Sequence, residues 1–297
     1  MADIRPRRSA LYLPASNAKA LEKARTLDCD VVILDLEDSV APEMKKLARE
    51  RAVEAVRGGG FGRRELVVRT NGLDTLWGAE DLSALAQAAP DAILVPKVDS
   101  GADVHRYHDA LSAAPSRIQL WTMIETAKSV FRLEEIAAAG SKSRLSLLVM
   151  GTNDLAKEMR ASLTVSRSAL LVPLSLSVAA AAAYGLAILD GVFNDIEDDA
   201  GLNAQLQQGL EFGFDGKTLI HPRQIARCNE VFTPSPERVS WAEAVIAAFE
   251  LPDNAGKGAI RVDGKMVERL HLVQARQVLG ILAALPGETA RSHPGAS

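Results

Sequence analysis

Eight short apolar runs, separated by stretches of helical character, constrain this chain more than any other feature. They fall at 10–13, 31–34, 66–69, 92–95, 119–124, 147–150, 186–189 and 218–220, and they are rich in Val, Ile and Leu. Runs of this kind suit strands covered on both faces, as in a parallel sheet flanked by helices. Between them, 17–26, 42–57 and 79–88 are amphipathic or Ala-rich, the pattern of helices packed against a sheet. Eight strand–helix units in roughly 220 residues predict an α/β fold, a closed (β/α)8 TIM barrel rather than an open doubly wound sheet. No Gly-x-Gly-x-x-Gly follows the first run, which argues against dinucleotide binding. The glycines between 58 and 62 lie between a helix and the third strand and read as a turn.

The barrel is predicted to take residues 1–250. A Gly-containing linker at 253–258 leads into a segment, 251–285, with a short strand, an Asp263-Gly264 turn and an amphipathic helix from Val267 onward. That segment is too small to fold alone, so it is expected to pack as a lid on its own barrel or a neighbour's. Residues 286–297 read as a disordered tail. The net charge of -4 gives no reason to expect nucleic acid. The N-terminus has no apolar core of a secretory signal. Cys29 and Cys228 are too few and too far apart for a disulfide framework, which fits a cytoplasmic location. The run 168–189 carries no charge and is long enough to cross a bilayer. Pro173, three serines and Gly185 interrupt it, so it is read as a buried helix followed by a buried strand, with no membrane partner.

The polar residues cluster where the apolar runs end, and in a barrel of this kind the active site lies at the C-terminal ends of the strands. The first run leads into Pro14-Ala15-Ser16-Asn17, the second into Asp35, Glu37 and Asp38, and the third into Arg69 and Asn71. Lys97 follows the fourth, Glu125 the fifth and Asp154 the sixth. Asp190 closes the seventh, with Asn194, Asp195 and Asp198 beyond it, and Lys217 and His221 flank the eighth. Glu125 and Asp154 stand at the ends of adjacent strands with no Cys or His nearby. Hard oxygen donors in small number suit Mg²⁺ better than zinc. An acid pair opposite Arg69 calls for a cation and an anionic ligand. Asp35 and Asp38 have a second reading as helix caps or ion-pair members. Lys97 is either a substrate contact or the partner of Glu37. His221 reads as a positioned structural histidine.

RSALYLPASN, VVILDLEDSVAPEMKKLAR, VVRTNG, ILVPKV, MIET, GTNDLA, AILDGVFNDIEDDAGL, GFDGKTLIHPRQI and GKGAIRVDGKMVE together resemble the citrate lyase beta-subunit-like family, which includes malyl-CoA lyase and citramalyl-CoA lyase. The resemblance runs from about residue 8 to 277. It implies a TIM barrel assembled as a homotrimer or hexamer. The implied activity is Mg²⁺-dependent cleavage or formation of a carbon–carbon bond between a CoA thioester and a 2-oxo acid such as glyoxylate or pyruvate. By resemblance, Glu125 and Asp154 are the metal ligands and Arg69 steadies substrate oxygens. Glu37 and Asp38 are acids that support the site. Pro14 and Asn17, with Lys45 and Arg49 on the next helix, lie near the CoA nucleotide. The family's lid brings a catalytic aspartate in the motif Met-[Ile/Val]-Asp onto a neighbouring subunit; here the motif reads Met266-Val267-Glu268. This departure leaves the acid/base role open between Glu268 and Asp263. Leu270 stands where a proline is common. Three rivals accompany the lyase reading: a Schiff-base aldolase acting through Lys97, a malyl-CoA-type thioesterase, and a complex-dependent subunit acting on an acyl-carrier thioester.

Overall fold

All eight apolar runs form strands in the computed structural model, which describes residues 5–285. They are β1 (Ser9–Pro14), β2 (Val31–Asp35), β3 (Glu65–Arg69), β4 (Ala92–Val95), β5 (Gln119–Ile124), β6 (Leu145–Met150), β7 (Ala187–Asp190) and β8 (Gly216–Leu219). Each pairs in parallel with the next, and β8 closes on β1 through Ala10 opposite Thr218. The result is the predicted (β/α)8 barrel. Its helices are α1 (Ala18–Ala24) after β1, α2 (Lys45–Gly58) after β2, α3 (Gly78–Ala88) after β3 and α4 (Gly101–Ala110) after β4. Two follow β5, α5 (Ala127–Val130) and α6 (Leu133–Ala138), and two follow β6, α7 (Thr152–Glu158) and α8 (Leu171–Tyr184). α9 (Asp199–Phe212) follows β7 and α10 (Gln224–Phe232) follows β8.

Side chains alternate across a strand, so one parity of each strand fills the barrel. Ala10, Val31, Ile33, Val67, Ala92, Leu94, Trp121, Met123, Leu147, Val149 and Leu189 form that interior, with Tyr12 partly buried against them. The opposite parity packs under the helices; Leu11, Val32, Leu34, Val68 and Ile93 are fully buried there.

The chain divides into two units at Glu230/Val231, not at 250 as the sequence suggests. Arg7–Glu230 is the barrel unit. In the second unit α11 (Pro236–Glu250) is joined by a hairpin, β9 (Ala259–Val262) and β10 (Lys265–Glu268), and by α12 (Arg269–Ala283). Ala242 and Val245 of α11 bury against Ile260, Val267, Leu272, Ala275 and Val278. α11 therefore shares a core with the segment beyond the linker, which moves the boundary upstream. Asp263 and Gly264 take the hairpin turn with φ of 47° and 78°, as a two-residue hairpin turn requires. The helix expected from Val267 begins at Arg269, because Val267 pairs with Ile260 across the hairpin. The tail 286–297 lies outside the described residues.

α8 corrects the reading of a buried helix. Pro173, Leu174, Ser177 and Ala181 are buried, but Val172 is 67% exposed and Leu176 48%. An outer helix of a barrel hides only one face, and here the other face is also uncharged, so the sequence shows no amphipathic period. Among the described residues no helix is long and apolar enough to cross a membrane.

Candidate active site

The interior parity continues past the strand ends and selects which polar residues point into the mouth. Asp35 lies two residues beyond Ile33, Arg69 two beyond Val67, and Glu125 two beyond Met123. The same count reaches Gly151 beyond Val149 and Gly191 beyond Leu189. One side of the mouth is thus charged and the other is backbone.

Arg69 is the hub of the charged side. Its Nε and Nη2 donate to the two oxygens of Asp35 at 2.7 and 2.8 Å. Nη1 lies 2.9 Å from Glu37 Oε2 and 3.4 Å from Asp38 Oδ2. The guanidinium carbon stands 4.9 Å over the ring of Tyr12. Burial raises the Asp35 carboxyl, but the charge and hydrogen bonds of Arg69 outweigh that and hold it below the usual carboxylate range. Ser39 Oγ and the Glu37 amide also donate to Asp35. Glu37, 7% exposed, bridges two cations: its Oε1 accepts from Lys97 Nζ at 2.6 Å. Burial pushes Glu37 up despite Arg69. Burial works against the Lys97 ammonium, yet its bond to Glu37 raises it on balance. A lysine held protonated is a poor nucleophile, which argues against the Schiff-base rival.

Glu125 is the unsatisfied acid. Its Oε1 accepts the Lys97 backbone N–H at 2.7 Å, an approach made with Lys97 in the left-handed region at φ 50°. Its Oε2 is buried and has no hydrogen-bond partner. Burial, then the charge of Glu37, push the Glu125 carboxyl up to about 7. Gly151 packs directly on it: a Cβ there would lie 2.4 Å from Glu125 Cβ and 2.6 Å from Oε2. Three residues on, Asp154 stands half-buried in the first turn of α7.

No group of three His, Cys, Asp or Glu side chains surrounds a metal position among the described residues. Mg²⁺ does not need one, since it keeps several waters and is commonly held by one or two carboxylates plus substrate oxygens. A buried carboxylate oxygen without a donor, with a second acid in the first turn after the adjacent strand, fits that ion.

The remaining candidates divide. Pro14 ends β1, and its carbonyl accepts the Asn17 N–H at 3.0 Å; Asn17 Oδ1 caps α1 through the Ala20 N–H. Lys45 and Arg49, expected near the CoA nucleotide, are both engaged by the protein. Lys45 is buried and bonded to Leu36, Glu37 and Asn71; Arg49 pairs with Glu80 and Asp81. Asp190 has the opposite parity to Leu189 and leaves the mouth. It is fully buried with Arg167 (2.6 Å) and Lys217 (2.8 Å), beside Gln205 and Gln208 of α9. Asp198 caps α9, and Asn194 pairs with Asn153. His221 Nδ1 accepts from the Arg223 N–H. Glu268 and Asp263 lie in the second unit, where the Glu268 N–H donates to His271 Nδ1 at 3.0 Å. Sequence reading missed Tyr12, although its parity with Ala10 marks it. It also missed Arg167, which no local pattern distinguishes.

Fold and mouth together define a class: a (β/α)8 barrel with a carboxylate-rich site at the C-terminal strand ends. Residues 8–222 match the family model HpcH/HpaI aldolase/citrate lyase, and the chain belongs to that family. It is 47% identical over 280 residues to (3S)-malyl-CoA thioesterase of Cereibacter sphaeroides (strain KD131 / KCTC 12085), covering 94% of this chain and 96% of that one. It is 35% identical over 302 residues to L-malyl-CoA/beta-methylmalyl-CoA lyase of the same strain, covering 93% and 94%. Among solved structures, CitE from Mycobacterium tuberculosis in complex with magnesium, acetoacetate and coenzyme A superposes with a TM-score of 0.75. That match is 31% identical and covers 94% of this chain and 98% of the other.

Proposed function

We infer that this protein hydrolyses a 3-hydroxyacyl-CoA thioester of the malyl-CoA type, releasing CoA and the free hydroxy acid. The observation that carries this reading is the 47% identity to a malyl-CoA thioesterase across nearly the whole of both chains, against 35% for the lyase. The mouth supplies compatible chemistry. Glu125 and Asp154 are the residues that would hold Mg²⁺, and a bound divalent ion there polarises substrate oxygens. Arg69 Nη1 is held by Glu37 Oε2 at 2.9 Å, while its contact to the half-exposed Asp38 is long at 3.4 Å; that second contact is the one a substrate oxygen would replace, so that Arg69 stabilises charge building there. Glu37 holds Arg69 and Lys97 in place. Asp38 is the acid that the substrate displaces. Lys97, with 45% of its side chain exposed, presents a positive charge to an anionic ligand.

In hydrolysis the water oxygen bonds to the thioester carbon, the carbon–sulfur bond breaks, and the proton lost by water passes through a carboxylate to the departing thiolate. We assign that carboxylate to Glu268, carried to the mouth by the second unit of a neighbouring copy in a homotrimer or hexamer. The buried free thiols of Cys29 and Cys228 suit a reducing cytoplasm.

Carbon–carbon cleavage to acetyl-CoA and a 2-oxo acid is the second reading, favoured by the lyase relative. Incubation with (3S)-malyl-CoA, with Mg²⁺ or with EDTA, separates the two. Free CoA thiol and malate establish the thioesterase; acetyl-CoA and glyoxylate establish the lyase. No metal-dependent turnover of this thioester overturns both.

A further inference from the structure

The structure assigns Lys45 a positioning role: its buried ammonium sets the loop after β2 so that Glu37 reaches Arg69 and Lys97, and it does not bind CoA phosphates. The inference rests on reading the mouth as the active site.

Lys45 opens α2, yet it is only 6% exposed. Its Nζ donates to Leu36 O at 2.8 Å, Glu37 O at 2.7 Å and Asn71 Oδ1 at 2.7 Å. An ammonium has three donors, and all three are taken, so none is left for a phosphate. The ring of Trp77 lies 5.2 Å from the nitrogen. The acceptors show what the cation joins. The Leu36 amide still follows the sheet, donating to Arg69 O at 2.9 Å. The Leu36 and Glu37 carbonyls each have one other donor, Asn71 Nδ2 at 3.0 Å and the Val40 N–H at 3.0 Å, and the ammonium adds a charged donor that ties both to Asn71.

The second anchor of the device is Asn71. Its Nδ2 donates to Leu36 O at 3.0 Å and to Asp81 Oδ2 at 2.7 Å, and its backbone N–H also reaches Asp81 Oδ2. Asp81 is fully buried and takes Arg49 on its other oxygen at 3.1 Å. Lys45, Asn71, Asp81 and Arg49 therefore rivet the loop after β2 to the loop after β3. Those two loops carry Glu37 and follow Arg69. The carboxylate delivered by this frame is Glu37, 2.6 Å from Lys97 and 2.9 Å from Arg69.

The test is Lys45→Met, compared with wild type on (3S)-malyl-CoA and on (3S)-malyl-pantetheine, which lacks the nucleotide phosphates. Free CoA is titrated calorimetrically against both proteins. Positioning predicts a kcat loss of roughly 10²-fold, the scale of a ~1 Å misplacement. The loss is equal on the two thioesters, with KM and the CoA Kd unchanged. It also predicts coupling: Lys45→Met combined with Glu37→Gln loses no more than Glu37→Gln alone, whereas a general loss of fold integrity adds to it. Asn71→Ser is the second variant, since it removes one acceptor and the tie to Leu36 at a site 2% exposed. It should show the same kcat loss at unchanged KM, and it decides the matter should Lys45→Met fail to fold. A raised CoA Kd with kcat retained, a loss confined to the CoA thioester, or full additivity with Glu37→Gln overturns the assignment. Absence of wild-type turnover instead sinks the reading of function, and the CoA titration still tests the claim that Lys45 is no phosphate ligand.

Discussion

Adding one methyl group at Gly151 tests whether the Glu125 carboxylate is held by contact with the turn that carries Asp154. Gly151 has φ −98° and ψ 71°, so the substitution meets no left-handed penalty and its effect is steric. The new Cβ would lie 2.4 Å from Glu125 Cβ, 2.6 Å from its Oε2 and 3.0 Å from Met123 Cε. Carbon atoms prefer about 3.5–4.0 Å, so one partner must retreat by roughly 1 Å. Glu125 Cβ is fixed to the end of β5 and has no rotamer by which to move aside. Overpacking of this kind costs about 1–3 kcal/mol, and at about 2–4 °C per kcal/mol for large domains the melting temperature should fall by several degrees. Because the displaced group is the carboxylate proposed to bind the metal, turnover should fall further than stability, on the order of 10²-fold for a ~1 Å error. The assays are calorimetric Tm, turnover of (3S)-malyl-CoA and Mg²⁺ titration. Gly258→Ala is the control, since a Cβ there meets nothing within 4 Å. A Gly151→Ala protein with wild-type Tm and wild-type Mg²⁺ affinity would refute the claim that this glycine and Glu125 are locked together.

Three further outcomes are expected. Glu125 titrates near 7 when folded and at 4.5 ordinarily; the folded state keeps the proton longer, so without Mg²⁺ its contribution to stability falls as pH rises from about 4.5 to 7, by up to about 3 kcal/mol. Denaturation across that range should show the loss in wild type and not in Glu125→Gln. Asp190→Ala leaves Arg167 and Lys217 buried without their shared acid, which should cost about 3–5 kcal/mol in urea unfolding while the kcat of the folded protein stays unchanged. Glu268→Gln should lower kcat by about 10²–10⁴-fold if this carboxylate moves the proton, and Asp263→Asn should not; the reverse result transfers the role to Asp263.

The barrel was legible because each of its strands is a continuous apolar run, and a run covered on both faces announces itself locally. The mouth was legible in part. Asp35, Arg69 and Glu125 stand at strand ends, and counting by twos from Ile33, Val67 and Met123 separates them from Asp190, which follows an inward Leu189 and so must face the helices. Glu37 and Asp38 lie beyond the end of β2, where no periodicity carries, and only the bonds to Arg69 and Lys97 place them. The partners of Lys45 and Arg49 were illegible for a related reason. Asn71 and Asp81 belong to a different strand–helix unit, and a cation on a helix looks solvent-facing until the loop that buries it is known. The domain boundary failed similarly, since α11 resembles another barrel helix and its core partners Ile260, Val267 and Leu272 come after the linker.

Charge balance at the mouth supports the proposed cation. Asp35, Glu37 and Asp38 surround Arg69, Glu37 also takes Lys97, and Glu125 receives only a backbone N–H. Four carboxylates thus meet two cations, and Asp154 follows in the first helical turn after the next strand. The Arg69 and Lys97 side chains are engaged by Asp35, Glu37 and Asp38, which leaves Glu125 Oε2 without a partner. The hydroxy-diacid thioester proposed as substrate would arrive with a carboxylate of its own and a phosphorylated carrier. Like charges at short range in a partly buried site repel strongly, so that substrate and the bare mouth would exclude one another. Glu125 and Asp154 are the residues that would hold the proposed divalent ion, which would supply positive charge for that carboxylate. The long Arg69–Asp38 contact is then the one that substrate would exchange. Substrate affinity should therefore depend on Mg²⁺ more steeply than fold stability does.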